Sequence, residues 1–356
     1  MKRFFLLFIV LLSTTFVSYA QELSKEDEDQ FQLAIEYSDN GNANKAIEIY
    51  DQLLKKYPDS GTLQYELAYC HYVKQDFKLA AKILEKAEKG DDNAAMYALH
   101  GNCLDMMGKQ DKAIAKYQEG IAKYPDFGQL YLELGTVYRS RNELNSAVES
   151  YAKGIEVDPY FSSNYYRISQ LLCMSNEPVW GIIYGEIHEL LQPNSRRSEE
   201  LSKAIYDAYN ANMKYENDST YHVSLTQMNQ ISMNDDGELD IPFEILYEFL
   251  FSSRLEDLST VREKGHLDML SLVEDRQAFL TKCFADGANQ KYLIPIFKYQ
   301  QMVLEAGHWE AYNMWLLRKG NDDEFSDWFD ANEDKFNAFV DWYSDHIYDP
   351  VEVVKK

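Results

Sequence analysis

KAIEIY at residues 45–50 returns as KAIAKY at 112–117 and as SAVESY at 146–151, and these three hexapeptides decide the reading of the chain. Their small residues, Ala46, Ala113 and Ala147, belong to a longer series completed by Ala80 and Gly181, with steps of 34, 33, 34 and 34 residues. Pro58, Pro125, Pro159 and Pro193 each follow twelve residues after a member of the series; the second unit has Asp92 there instead. A fixed period in this range marks stacked supersecondary units, none able to bury its apolar face alone.

Each position has a physical reason. Ala34, Ala68, Gly101 and Gly135 in the first segment, and the Ala46 series in the second, let two helices of a hairpin approach closely. Aromatic residues fill the space between hairpins. Proline ends the second helix because it cannot continue the backbone ladder. Gly41 and Gly108 supply the turn between helices.

The pattern resembles the tetratricopeptide-repeat family, which sets an aromatic, Leu-Gly, Tyr, Ala, an aromatic and Pro at fixed offsets. The fourth repeat matches throughout, at Tyr131, Leu134, Gly135, Tyr138, Ala147, Tyr151 and Pro159. The first matches at Leu33, Ala34, Tyr37, Ala46, Tyr50 and Pro58, the second at Leu67, Ala68, Ala80 and Leu84, the third at Tyr97, Gly101, Ala113, Tyr117 and Pro125. The fifth keeps Tyr165, Ile168, Gly181 and Pro193 but has Pro178 at the inter-helix turn. The resemblance implies an all-α helical-hairpin solenoid over 27–193, in repeats 27–60, 61–93, 94–127, 128–161 and 162–195. It also implies a concave face lined by repeat positions 2, 5, 9, 12 and 13. Those positions include Tyr65, Tyr69 and Tyr72; Asn102, Asp105 and Met106; Arg139; and Tyr166 and Met174, which form the expected partner-binding groove. Phe31, Ile35, Val73, Ala98, Leu132, Thr136 and Gln170 complete the lining. Family members that clamp a peptide carboxylate carry basic residues beside asparagines. Only Asn102 matches, and Ala95 and Ala98 occupy the basic positions. The surface is aromatic and Met-rich, suited to an apolar or amphipathic segment.

Around the repeats the sequence divides further. Lys2 and Arg3, the apolar run 4–12 and the small-residue exit Ser18–Ala20 form an export signal over 1–20, with cleavage expected after Ala20. The run is too short to span a bilayer, which takes about 20 apolar residues, so no integral span is expected after cleavage. Without residues 1–20, 33 basic residues face 59 acidic ones, a net −26. Such a field repels nucleic acid and favours basic partners. Residues 196–216, with Leu201, Ile205, Ala208, Tyr209 and Met213 at helical spacing, read as a capping helix, and 217–240 as a loop or hinge. Helical patterns resume over 241–356, at 241–253, 258–285, 292–306, 309–319 and 324–346, and GHWEAYNMW (307–315) echoes a repeat turn.

Candidate chemistry is sparse. There is no GxxxxGK, GxSxG or HExxH motif, and His188-Glu189 lacks the second histidine a zinc helix requires. His71 replaces the family tyrosine and reads as packing. NDDGELD (234–240) puts Asn234, Asp236, Glu238 and Asp240 at calcium-loop positions, but Ser232 and Phe243 stand at the first and last, so it reads as an acidic turn. Cys70 and Cys103 sit one repeat apart, about 8–10 Å between helix axes, beyond disulfide reach; all four cysteines read as small buried residues. The tail 321–349 interleaves ten acidic residues and one basic with Phe325, Trp328, Phe329, Phe336, Phe339, Trp342 and Tyr343. It reads as a terminal hairpin with an aromatic core, the alternative being an acidic-aromatic face for a basic partner. No cofactor or metal is implied. The expectation is an exported adaptor or scaffold, periplasmic or secreted, binding a protein or peptide with an apolar or basic segment. The alternatives are an enzyme or ligand module in 217–356 on a repeat platform, and a structural subunit of an envelope assembly.

Overall fold

The chain turns back on itself wherever a backbone amide can reach the carbonyl five residues behind it. Gly41, Gln75, Gly108 and Asn142 all stand at positive φ, between 61° and 78°. At each, its own N–H bonds the carbonyl three residues back and the next N–H the carbonyl five back, as in Gly41 N to Ser38 O at 3.0 Å and Asn42 N to Tyr37 O at 2.7 Å. This closes the end of one helix and aims the next antiparallel to it. Glycine serves twice; Gln75 and Asn142 take the same left-handed conformation in the repeats that lack it.

The computed structural model describes residues 23–351 apart from 91, 218–219, 229, 234–238, 253–266 and 293. The stretch read as an export signal, the centre of the acidic turn and the start of the helical pattern at 258 lie outside the described residues. Contacts divide the chain into two compact units, meeting between Val157 and Asp158.

The first unit is four hairpins: α1 (Lys25–Asp39) with α2 (Ala43–Lys56), α3 (Gly61–Val73) with α4 (Phe77–Ala87), α5 (Ala94–Met106) with α6 (Gln110–Lys123), and α7 (Gly128–Ser140) with α8 (Leu144–Val157). Ala46, Ala80, Ala113 and Ala147 are completely buried. At Gly101 even a methyl group would stand 2.1 Å from the Tyr117 ring. The close approach of the helices is thus built on absent side chains. Two carboxylates tie helix ends together: Asp27 accepts from Lys56 Nζ (2.6 Å) and Tyr57 OH (2.9 Å), and Asp92 from Lys123 Nζ (2.7 Å) and Tyr97 OH (2.6 Å).

The second unit opens with the fifth repeat, α9 (Ser162–Cys173) and α10 (Pro178–Leu191), followed by α11 (Arg196–Asn212). Helix α11 packs on α9 and α10, burying Leu201, Ile205 and Tyr209 completely. It stops at Asn212, short of 216, where the side chains of Asn210 and Asn212 donate to the carbonyls of Tyr206 and Ala208 and compete with the backbone ladder. The last residues read as capping helix form strand β1 (Met213–Asn217), and the segment read as a loop contributes β2 (Thr220–Val223), paired antiparallel to it with Met213 opposite Val223, then β3 (Ser232–Met233) and β4 (Leu239–Asp240). Helices α12 (Phe243–Ser252), α13 (Met269–Ala285), α14 (Ala288–Lys291), α15 (Pro295–Glu305), α16 (Trp309–Leu317) and α17 (Asp322–Asp345) follow. Gly307, at φ 79°, joins α15 to α16 with the same pair of hydrogen bonds as the repeat turns, so the echo in GHWEAYNMW is a real one. Later residues cover α11: Tyr206 OH donates to Leu267 O at 3.0 Å, and a methyl at Gly320 would meet the Tyr206 ring at 2.2 Å. All four cysteines are buried free thiols.

Candidate binding face of the repeats

Three tyrosines on one helix form the centre of the candidate site. Tyr65, Tyr69 and Tyr72 are spaced four and three apart, so they rise from one side of α3. Leu67, Ala68 and Cys70 fall on the other side and are buried. The tyrosines stay half-buried, packed over the cluster of Ala80, Leu84, Met96 and Leu99. Tyr72 meets the Phe77 ring edge-on at 5.4 Å.

Helix α5 runs beside α3 and α7 beside α5. From α5 come Asn102 and Asp105, half-buried, and Met106, 55% exposed. Asn102 accepts a 2.5 Å hydrogen bond from Tyr117 OH, which fixes its amide and leaves the NH2 group for another partner. From α7 comes Arg139, exposed, with Thr136 bonded back to Leu132 O at 2.8 Å. Burial, and then the nearby Glu133 and Asp105 carboxylates, hold the Tyr72 phenol above its ordinary pKa. Tyr69, Tyr72, Asp105 and Glu133 therefore share one electrostatic neighbourhood assembled from three successive first helices. Sequence reasoning missed Glu133, which stands at repeat position 6, outside the inward set. Glu66 occupies the same position in the second repeat, and that recurrence was the available signal.

The second unit treats its expected site residues differently. Tyr166 is not open groove: it is 6% exposed, donates to Glu200 Oε2 and accepts from Gln170 Nε2 at 2.7 Å. The Arg197 guanidinium lies 5.0 Å from its ring and the His188 ring, tilted by 42°, at 5.5 Å. Helix α11 packs directly on α9 and covers that face, which is the physical reason for the correction. Met174, 89% exposed, caps the end of α9.

Glu186 and Arg276 of the second unit are consumed by packing. Glu186 accepts from Arg276 Nη2 (2.7 Å), Gln300 Nε2 (2.7 Å) and Tyr312 OH (2.5 Å), and Arg276 also donates to Asn313 Oδ1 (2.6 Å) and Tyr209 OH (3.0 Å). Glu186 is 1% and Arg276 4% exposed, a knot closed to substrate. Among the described residues no group of three or more His, Cys, Asp or Glu could hold a metal ion.

His188 is the acid-sensitive element. Its Nδ1 meets Ser162 O at 2.9 Å, while burial lowers its pKa from 6.5 to about 4. Between these values the unfolded chain binds the proton and the folded one does not. The stability this histidine contributes is therefore complete above pH 6.5 and lost as pH falls toward 4. Lowering the pH from 7 to 5 should cost the second unit about 2 kcal/mol through His188 alone. His188→Asn, which keeps a donor for Ser162 O but does not titrate, should flatten that slope in denaturation monitored by fluorescence; equal slopes would contradict the assignment.

Comparison with known proteins fits this architecture. Tetratricopeptide-repeat family models match residues 31–95, 94–126 and 128–161. Superkiller complex protein 3 of Homo sapiens is 26% identical over 132 residues, which is 35% of this chain and only 8% of that protein's length. Among solved structures, MamA is 23% identical, covering 45% of this chain and 95% of its own, with a TM-score of 0.38. PilF of Pseudomonas aeruginosa is 22% identical, covering 51% and 84%, with a TM-score of 0.44. The family-model matches, together with the in-phase repeats and the hairpin turns, place tetratricopeptide repeats within residues 31–161 of this chain.

Proposed function

We propose that this protein is an exported adaptor, and that the first helices of its second to fourth repeats hold an apolar or basic segment of a protein partner. The observation that carries the reading is the set of half-buried tyrosines on α3, packed against a core of Ala80, Leu84, Met96 and Leu99. Large rings left at a surface supply contact area at low entropy cost and are favoured anchors for a partner. Carboxylates of Asp105 and Glu133 beside Tyr72, on a chain of net charge −24, add attraction for lysine or arginine. Met106 offers an adaptable apolar contact on the same face.

The test is photo-cross-linking from a reactive group at position 106 in the native host, read in the envelope fraction. One dominant partner is expected there, captured by a protein whose mature terminus is Gln21. An intact Met1 terminus on a membrane-bound product would remove the export part of the proposal. Labelling no different from a probe on the convex side would remove the binding part.

A further inference from the structure

The helix α17 is not continuous. At Asn332 the backbone leaves the helical region (φ −136°, ψ 27°), and the Asn332 side chain donates to Trp328 O at 2.8 Å, closing the first limb. The second limb folds back, so Phe336 meets Phe329 at 5.2 Å and Phe325 at 6.3 Å, both edge-on. The tail is the hairpin its spacing predicts, yet its rings do not fill the space they enclose. Trp315, Phe325, Phe329, Phe336, Phe339 and Tyr343 line an open cavity of about 400 Å³, within the range of ligand-binding clefts.

One charged side chain reaches the cavity, and it is already occupied. Arg318 Nη1 donates to the buried Glu189 carboxylate at 2.9 Å and to Trp315 O at 2.8 Å, and its guanidinium lies 5.3 Å from the Trp315 ring. Val340, 43% exposed, stands at the mouth. Outside, Asp323, Asp327, Asp330, Glu333, Asp334 and Asp341 are exposed on the two limbs, while Lys335 is drawn onto Glu310 at 2.9 Å. An apolar cavity in a tail whose exposed charges are nearly all carboxylates discriminates by sign: anions are repelled before they arrive, and cations are concentrated.

We infer that this cavity is a second docking site, distinct from the tyrosine face, for a protein segment that inserts one leucine or aromatic side chain flanked by lysine or arginine. The rings take the anchor and the exposed carboxylates take the flanks. Rim charges of this kind set approach and salt dependence, while the buried anchor sets residence.

The test uses the full chain and a fluorophore-labelled hexapeptide amide, Lys-Arg-Leu-Phe-Arg-Lys, followed by anisotropy. Its affinity should exceed by about tenfold or more that of a peptide with glutamates in place of the basic residues, and that of one with Gly-Ser in place of Leu-Phe. Val340→Trp, which plugs the mouth from an exposed position, should weaken it about tenfold. Asp330→Lys/Glu333→Lys/Asp334→Lys should weaken it similarly and reduce its salt dependence, with melting of both variants unchanged. Equal binding by wild type and both variants, or no preference for Leu-Phe over Gly-Ser, would overturn the proposal. So would a loss confined to a protein lacking Tyr65, Tyr69 and Tyr72, which would place the peptide on the repeats.

Discussion

Replacing Glu186 by alanine is expected to destabilise the second unit by about 3–5 kcal/mol, because it strands a buried guanidinium. Arg276 is 4% exposed and keeps only neutral partners, Asn313 and Tyr209, once the carboxylate is gone. Tyr312 and Gln300 lose their acceptor at the same time, and each orphaned polar group adds a desolvation cost. The pair itself is no guarantee of stability, since taking two charges out of water costs nearly what their attraction returns. Glu186→Leu combined with Arg276→Met should therefore recover much of the loss. Tryptophan fluorescence in denaturant reads this unit alone, because Trp180, Trp309, Trp315, Trp328 and Trp342 all follow residue 157. A single variant that unfolds at the wild-type denaturant concentration would show that the network does not hold the unit together.

Gly181→Ala is expected to cost about 3 kcal/mol, at the upper end of overpacking penalties. The four preceding members of its series are alanines that fit with no exposed surface. At Gly181 a methyl carbon would stand 2.4 Å from the Cys173 amide nitrogen and 2.8 Å from the Leu172 carbonyl carbon. Those atoms are backbone, so α9 and α10 must separate for the methyl to enter. The gain in helix propensity from removing a glycine, about 1 kcal/mol, offsets only part of this. Fluorescence-monitored denaturation decides it. A neutral or stabilising effect would mean that the fifth hairpin packs as loosely as the others.

The repeats were legible because each hairpin must meet the same steric demand at the same offset. Ala46, Ala80, Ala113 and Ala147 sit buried without exposed surface where the two helices of each hairpin meet. The turns lacking glycine, at Gln75 and Asn142, take the same left-handed conformation 34 residues after Gly41 and Gly108. The tyrosines of α3 were singled out through the same register. Tyr166 was misplaced because the register assumes an open face, whereas α11 covers it. Nothing periodic in 196–214 announces which side that helix will take. The second unit's centre was out of reach for another reason: Glu186 and Tyr312 meet across 126 residues, and Glu186 and Arg276 across 90. Such pairings follow from tertiary packing and leave no local mark. In the tail, aromatic spacing gave the faces, but the fold-back depends on one amide, Asn332, closing onto Trp328.

The account rests on the tyrosine face, and one measurement bears on it most directly: the affinity of the Tyr65→Ser/Tyr69→Ser/Tyr72→Ser protein for the partner cross-linked at position 106. Each buried ring contributes on the order of 1–2 kcal/mol at an interface, so binding should weaken by about a hundredfold or more. Helical content and cooperative melting should stay near those of the parent. Full affinity in the triple variant, or loss of the fold along with the binding, would contradict the account and make these tyrosines part of the core.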